Sequence, residues 1–481
     1  MLFAGAMVRT VNYDEDQYVA AAVMTASAVP YRDFAYLQPP LYPLVLAPVL
    51  AVSGGYNLLA ARLVTFGLSV LSGGLLWAIV RRLGASRGLG VVLLAACLGS
   101  PFLLQPLSNT RNDVLPLVLM LAGLWVQLRA ETVWSQSGWG RAGAALLFGL
   151  AVEAKLTYLF GPLALGVHAL FDVRRRMWPV LLGTALAAVP ALVFLLLAPD
   201  AFRFGLLDYH LVAPLDWYTR QAQGVALLPL TRLGQLGGWL VLGGNLTLLV
   251  LAGALSMLVV GRRRKWKKPG RLLVGLTVGA LLFAFIPSPA WPMYFAPVAP
   301  LLACCVAHLD RVTAYLAGPR FKCILFGVAV IPLAPALLFL GSDVTALDDP
   351  EAWVGLVAHR TAVAMRAALP QGGEVATLFP HLVIDANPVP RAFATGAFVF
   401  RSGDAFSPER LKEVHALSPG MLEAAFAAHP PAGIHAGAYA GVWRTPMDAA
   451  LAAYAERHGW RLAWSDPKLG GLWVPPARNP P

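Results

Sequence analysis

Three consecutive acids, Asp14, Glu15 and Asp16, precede Gln17 and Tyr18 near the front of a very apolar chain, and Gln38, Pro39, Pro40 and Leu41 follow. Carboxylates at the edge of a bilayer are costly to keep unless they are solvated or used, so this group is read as a candidate site; a solvated loop is the competing reading. A carboxylate in such a place can take a proton as a general base. Other side chains of chemical interest sit at the ends or breaks of apolar runs: Arg111 and Asp113 within Asn109–Asp113, Glu153 and Lys155, His210 among Tyr209, Asp216, Trp217 and Tyr218, and Tyr294. Each has a plain alternative. Arg111 and Asp113 could be a loop ion pair, Glu153 and Lys155 could satisfy one another at a helix turn, and His210 could belong to an interfacial aromatic belt. His381 and Asp385 stand just before the turn signal Asn387-Pro388 and carry no recognisable catalytic spacing.

Groups like these need a scaffold, and composition points to a membrane one. The chain has 481 residues, 58% hydrophobic and 13% charged, with long apolar runs recurring over its first two thirds. This is the pattern of a polytopic membrane protein. The net charge of +12 gathers in short loops between apolar runs, where the positive-inside rule accounts for it without a nucleic-acid partner. Cys97, Cys304, Cys305 and Cys323 all lie in apolar segments, which suggests small core residues rather than disulfides or a zinc site.

Hydropathy places spans near 61–80, 89–108, 114–130, 178–198, 236–260, 271–287, 295–309 and 322–341. Arg81, Arg82, Arg87, Arg129, Arg141, Arg174 to Arg176, the run Arg262 to Lys268 with Arg271, and Arg311, Arg320 and Lys322 then belong on the cytoplasmic side. Parity makes 142–171 two short helices joined near Glu153 to Lys155, and makes Pro39 to Leu58 interfacial or re-entrant. Val19 to Val29 reads as a short helix along the interface. The expected fold class is an all-α polytopic membrane domain of about 10 to 11 transmembrane helices plus interfacial ones, over residues 1–341. Met1 to Val8 is far too short to cross roughly 30 Å at about 1.5 Å per residue and is read as a truncated first helix. From Ser342 the character changes to a soluble α/β domain, 342–481, on the outer side. Ser407-Pro408 and Thr445-Pro446 look like helix caps and Met447–His458 like a helix; Glu374–Phe379, Ala397–Arg401, Gly441–Arg444 and Trp460–Trp464 look like strands.

The pattern D-E-x-x-Y at Asp14 to Tyr18, Pro30-Tyr31-Arg32-Asp33-Phe34, Pro39-Pro40-Leu41 and Ala61-Arg62-Leu63 resembles the membrane glycosyltransferases of the GT-C fold. It looks most like the branch holding the aminoarabinose transferases of lipid A, the protein O-mannosyltransferases and the rhizobial galacturonic acid transferases. The resemblance continues through Asn109–Asp113, a G-L-A-x-x-x-K segment from Gly149 to Lys155, Asp208-Tyr209-His210, and Met293-Tyr294-Phe295 with Pro297. It implies that Asp14 is the catalytic aspartate of the first external loop and that Asp113 is the acid of the second. In the aminoarabinose transferases a lysine preceded by an acid stands directly before P-P-L. Here Leu37 and Gln38 take those places, so phosphate must rely on another cation and a metal site using that acid does not carry over. The branch is thought to act without a metal, although Asp14 and Asp16 form a D-x-D pair of a kind that can hold one.

The chemistry suits these residue types. Moving a sugar from a lipid phosphate to a hydroxyl needs a base for the acceptor proton, and the phosphate needs positive charge and donors around its oxygens. Asp14 is the expected base of an inverting displacement. Glu15, Tyr18, Gln38, Arg111, Asp113, Lys155, His210 and Tyr294 are the expected substrate contacts, with Arg203 and Arg220 as further outward cations. No cofactor or metal is expected. The expected partners are a polyprenyl-phosphate-linked sugar, membrane lipid, and a lipid, glycan or protein acceptor, with the site and the C-terminal domain on the periplasmic side of a bacterial inner membrane. The rival class is a polytopic transporter or lipid flippase, whose repeated halves and midplane charges are not evident here.

Overall fold

Local signals decide where the first helices begin and end. α1 (Leu2–Val8) runs through Asn12 into α2 (Tyr13–Thr25), where Asn12 Oδ1 accepts from the Asp14 N–H at 3.0 Å and Glu15 Oε1 accepts from the Asn12 N–H at 2.9 Å. That reciprocal cap makes the acidic group the first turn of a helix. α2 packs inside the protein: Val19, Ala20, Ala21 and Ala22 are fully buried. α3 (Leu41–Ala51) follows Pro39-Pro40, and its Leu44, Val45 and Val49 face outward. α4 (Asn57–Leu83) ends with Arg81 and Arg82 in its last turn and Gly84 in the left-handed conformation at φ 108°.

The computed structural model describes residues 1–131, 138–171, 177–260, 268–314, 318–369, 371–439 and 445–476. Arg174 to Arg176, most of the basic run from Arg262, and the strand expected at Gly441–Arg444 lie outside the described residues. α5 (Arg87–Leu98) is shorter than the span expected over 89–108. It stops ahead of Ser100-Pro101, where the Gly244 N–H donates to Gly99 O at 3.0 Å and packing is so close that a Cβ on Gly244 would lie 1.7 Å from Ala96 O. Turns then carry the chain to Asp113. α6 (Val114–Ala130), α7 (Trp139–Ala154) and α8 (Phe160–Leu170) follow, with the expected break at Lys155. α9 (Trp178–Ala187) packs on α7 through glycine: a Cβ on Gly183 would come 2.2 Å from Ala142 O, and one on Gly149 2.4 Å from the Ala187 Cβ.

α10 (Val189–Leu197) bends from α9 by 45°, and α11 (Pro199–Arg203) and α12 (Tyr209–Arg220) lead to α13 (Pro229–Leu240), which α14 (Gly243–Val260) leaves at 84°. α15 (Lys268–Ala284), α16 (Val298–Val312), α17 (Pro319–Val330) and α18 (Leu333–Thr345) complete the series. Among the described residues two helices are long and apolar enough to cross a membrane, or up to four if each bent pair is one span. The expected 10 to 11 spans are therefore not matched by full-length helices, because prolines, glycines and sharp bends divide the apolar runs and a hydropathy window cannot see a bend.

The small sheet lies in the C-terminal region. α18 runs across the boundary expected at 341/342, and α19 (Val354–Ala368) precedes strands β1 (Val375–Thr377), β2 (Gly433–Ala436), β3 (Arg461–Asp466) and β4 (Gly470–Val474). Their order is β1-β2-β4-β3, with β1 parallel to β2 and the other pairs antiparallel. Ala397–Arg401 is not a strand: Phe398–Arg401 forms α20, tied to α12 by Tyr209 Oη on Phe398 O at 2.8 Å and Ser402 Oγ on Ala213 O at 3.0 Å. Docking overrides its β propensity. Ser407 and Thr445 do cap α21 (Pro408–Glu413) and α23 (Pro446–Arg457), with α22 (Leu422–Ala428) between them. One hydrophobic core joins Tyr18, Tyr36 and Phe202 to Met365, Phe379 and Leu472, so the C-terminal region packs onto the front of the chain. Cys97, Cys304 and Cys305 are buried as expected, whereas Cys323 is exposed.

Candidate active site

Successive residues on a helix point about 100° apart, and the acids of α2's first turn accordingly reach three different partners. Glu15 faces inward. Its Oε1 and Oε2 accept from Arg62 at 2.8 and 2.9 Å, from Asn109 Nδ2 at 2.7 Å, from the Thr110 N–H at 3.0 Å and from the Asn12 N–H. Arg62 in turn donates to Ala6 O at 2.9 Å and Arg9 O at 2.7 Å. Neither residue of this bidentate pair is exposed. Glu15 therefore has no room for a substrate, and its expected role as a substrate contact gives way to that of a scaffold. Burial alone would raise the Glu15 carboxyl, but Arg62 and the other donors hold it below its ordinary value.

The sign of that shift fixes a pH dependence. A depressed folded-state pKa contributes stability that is present above the unfolded value, about 4.3, and is lost as pH falls through the folded one. Thermal unfolding of the detergent-purified chain should show no loss from Glu15 down to pH of about 5, and a loss below it.

Asp14 turns the other way and stays 19% exposed, the most open carboxylate of the cluster. It pairs with Arg111, whose Nη1 also donates to Asn12 Oδ1 at 3.0 Å and whose Nε donates to Asp113 Oδ2 at 2.8 Å. Asp113, 1% exposed, receives Lys155 on its other oxygen. Burial would raise Asp113, yet Lys155 and Arg111 hold it below the usual carboxylate range. The Lys155 ammonium lies 5.1 Å from the Tyr294 ring centroid, and Tyr18 is within electrostatic reach of both Asp113 and Tyr294. Acid and base thus alternate along Asp14, Arg111, Asp113 and Lys155.

Gln38 joins through Asn112, whose Nδ2 donates to Gln38 Oε1 at 3.0 Å and to Ala154 O at 3.1 Å. His210 Nε2 lies 2.7 Å from Leu37 O, which ties α12 to the segment before Pro39. Of the expected contacts, Arg111 alone touches Asp14; Lys155 joins through Asp113, Tyr294 through Lys155 and Gln38 through Asn112, Tyr18 lies within electrostatic reach of Asp113, and His210 meets Leu37 O. Glu153 does not pair with Lys155; it accepts from the Ala191 N–H at 3.0 Å. Arg203 and Arg220 take the local partners Asp208 and Asp216 and leave the lattice to Arg111 and Lys155. Asp14 and Asp16 diverge rather than converge as a D-x-D pair, since Asp16 meets His381.

Sequence reasoning gave no role to two groups, Arg62, quoted only within the Ala61-Arg62-Leu63 motif, and Arg401. Arg62 was legible as a charge inside an apolar run. Arg401 of α20 was not: its guanidinium lies over the rings of Phe398, Tyr13 and Trp217, at 4.8, 5.6 and 5.8 Å from their centroids, and brings a cation from the C-terminal region beside the residue that precedes Asp14.

Residues 37–199 match the family model described as dolichyl-phosphate-mannose-protein mannosyltransferase, a stretch that includes Gln38, Arg111, Asp113 and Lys155. No curated protein matches the sequence. Among solved structures, ArnT from Cupriavidus metallidurans in the apo state superposes with a TM-score of 0.62 at 17% identity, covering 98% of this chain and 95% of that one. The same protein bound to undecaprenyl phosphate gives a TM-score of 0.60 at 15% identity, with the same coverage. The chain has the GT-C fold of membrane glycosyltransferases, as the motif resemblance implied.

Proposed function

We propose that this chain is an integral membrane glycosyltransferase that moves a sugar from a polyprenyl-phosphate donor to a lipid, glycan or protein acceptor on the outer face of the bacterial inner membrane. The observation that carries this reading is the lattice of Asp14, Arg111, Asp113 and Lys155, in which the one partly open carboxylate pairs with Arg111 and the buried Asp113 links that arginine to Lys155. The family match over 37–199 and the likeness to the undecaprenyl-phosphate-bound structure support it.

In the proposed step the acceptor hydroxyl attacks the anomeric carbon from the face opposite the phosphate. The new C–O bond forms as the bond from the anomeric carbon to the phosphate oxygen breaks, and configuration inverts. Asp14 takes the acceptor proton, and the phosphate leaves with the bonding pair. Its oxygens are received by Lys155 and Arg111, with Tyr294 and Gln38 at hand as polar groups. A phosphate that draws Arg111 toward itself loosens the Arg111–Asp14 pair, which makes the carboxylate more basic when donor is present.

Lys155→Met tests the phosphate role. A charge-assisted hydrogen bond of about 1.5–3 kcal/mol is removed, so the donor KM should rise by about ten- to a hundredfold, with Lys155→Arg retaining most of the affinity. Turnover of a polyprenyl-phosphate sugar by the reconstituted protein, measured over donor concentration, reads this directly. An unchanged KM in Lys155→Met would remove Lys155 from the donor site. A transporter would bind or move the donor without cleaving it, and the same assay separates that reading.

A further inference from the structure

The turn that carries Asp14 is also gripped by the C-terminal region. Asp16 Oδ1 is 2.6 Å from His381 Nδ1 and accepts the His381 backbone N–H at 3.2 Å, across 365 residues of chain. Both side chains are 1% exposed. His381 Nε2 lies 3.3 Å from the Tyr439 hydroxyl, and the two rings stack with centroids 6.1 Å apart. Gly396 closes the socket: a Cβ there would lie 2.8 Å from the Asp16 Cβ, and its φ of 55° is itself a conformation that favours glycine. Beside it the Tyr13 ring meets Phe379 at 6.1 Å.

This grip is not built for stability. Asp16 Oδ2 is buried with no hydrogen-bond partner among the described residues, and a buried acid only half satisfied costs more than an apolar side chain in the same place. Geometry is what it supplies. His381 is held at both ring nitrogens, Nδ1 against Asp16 and Nε2 against the Tyr439 hydroxyl, so the orientation of the imidazole toward Asp16 is fixed. Asp16 lies about 200° round the helix from Asp14, so holding it sets the rotation of the turn and the direction in which Asp14 points.

We propose that His381 is a positioning residue for Asp14: by holding Asp16 it fixes the first turn of α2, which makes the C-terminal region a working part of the transfer site. This rests on the reading of Asp14 as the base. Displacing a reacting group by about 1 Å can cost on the order of a hundredfold in rate without changing what binds the substrate. In the full-length chain, reconstituted in lipid, His381→Ala should lower kcat by at least about tenfold and leave the donor KM unchanged. His381→Asn, whose amide nitrogen can take the place of Nδ1, should recover most of the rate. Tyr439→Phe, which removes the contact at Nε2 and loosens the ring, should fall between.

A wild-type kcat in His381→Ala, with Asp14→Asn inactive, overturns the positioning role and leaves the base assignment standing. Equal losses in His381→Ala and His381→Asn, accompanied by a raised KM and a lower unfolding temperature, also overturn it, since they mark a residue that only holds the fold. Undiminished turnover in Asp14→Asn is a different failure, that of the base itself.

Discussion

Asp14→Asn should leave the protein folded and inserted while its kcat falls by about a hundred- to ten-thousandfold, the usual contribution of a positioned general base. The structure makes this substitution a clean one. The Asp14 side chain contributes nothing to the cap of α2, which uses its backbone N–H, and an asparagine oxygen can still accept from Arg111. The ability to take a proton is lost, and the ion pair with Arg111 becomes a hydrogen bond to a neutral amide. The donor KM should change little, because the proposed phosphate groups Lys155 and Arg111 remain. Asp113→Asn should behave in the opposite way, weakening the hold on Lys155 and with it the donor. Steady-state rates for the two variants in one lipid preparation, with thermal unfolding as the control for folding, check the contrast.

Arg62→Met should be the most destabilising single change near the site, by about 3–5 kcal/mol, enough to remove most folded protein from a membrane preparation. The loss comes from what is stranded. Glu15 would keep its charge in full burial with its bidentate partner gone, and the carbonyls of Ala6 and Arg9 would lose their donor where α1 ends. Removing the partner charge as well should relieve much of this, so Glu15→Gln combined with Arg62→Met should cost clearly less than the two separate losses added together. Thermal midpoints and folded yield of the two singles and the double give the coupling; strict additivity would mean that the pair does not lock α2 to α4.

The difference between these two acids could be read only in part from the chain. D-E-x-x-Y marked the place, and family resemblance picked out Asp14, but the spacing of Asn12 and Glu15 already spelled a reciprocal cap that ties Glu15 to the backbone. Charge parity called for two helices over 142–171, and the charged pair within that apolar run placed their join near Glu153 to Lys155, where α7 ends. Motifs far apart in sequence, Asn109–Asp113, Lys155 and Tyr294, then met around Asp113, which Arg111 links to Asp14. Other features had no local signature. The Asp16–His381 contact spans most of the chain and follows from the shared core, and Arg401 reaches Tyr13 only because α20 docks on α12. The bends between α9 and α10 and between α13 and α14 escaped for a related reason, since hydropathy records what a helix is made of and not where it turns.

The most direct measurement is bond cleavage itself. Purified wild-type protein and Asp14→Asn, each in lipid with a panel of polyprenyl-phosphate sugars and an envelope lipid fraction as acceptor, would be followed by mass spectrometry for release of polyprenyl phosphate and appearance of a glycosylated acceptor. The account predicts that wild type yields both products from at least one donor and that Asp14→Asn yields neither above background. Equal product from the two proteins, or donor bound and moved across the bilayer by wild type with its glycosidic bond intact, would contradict it.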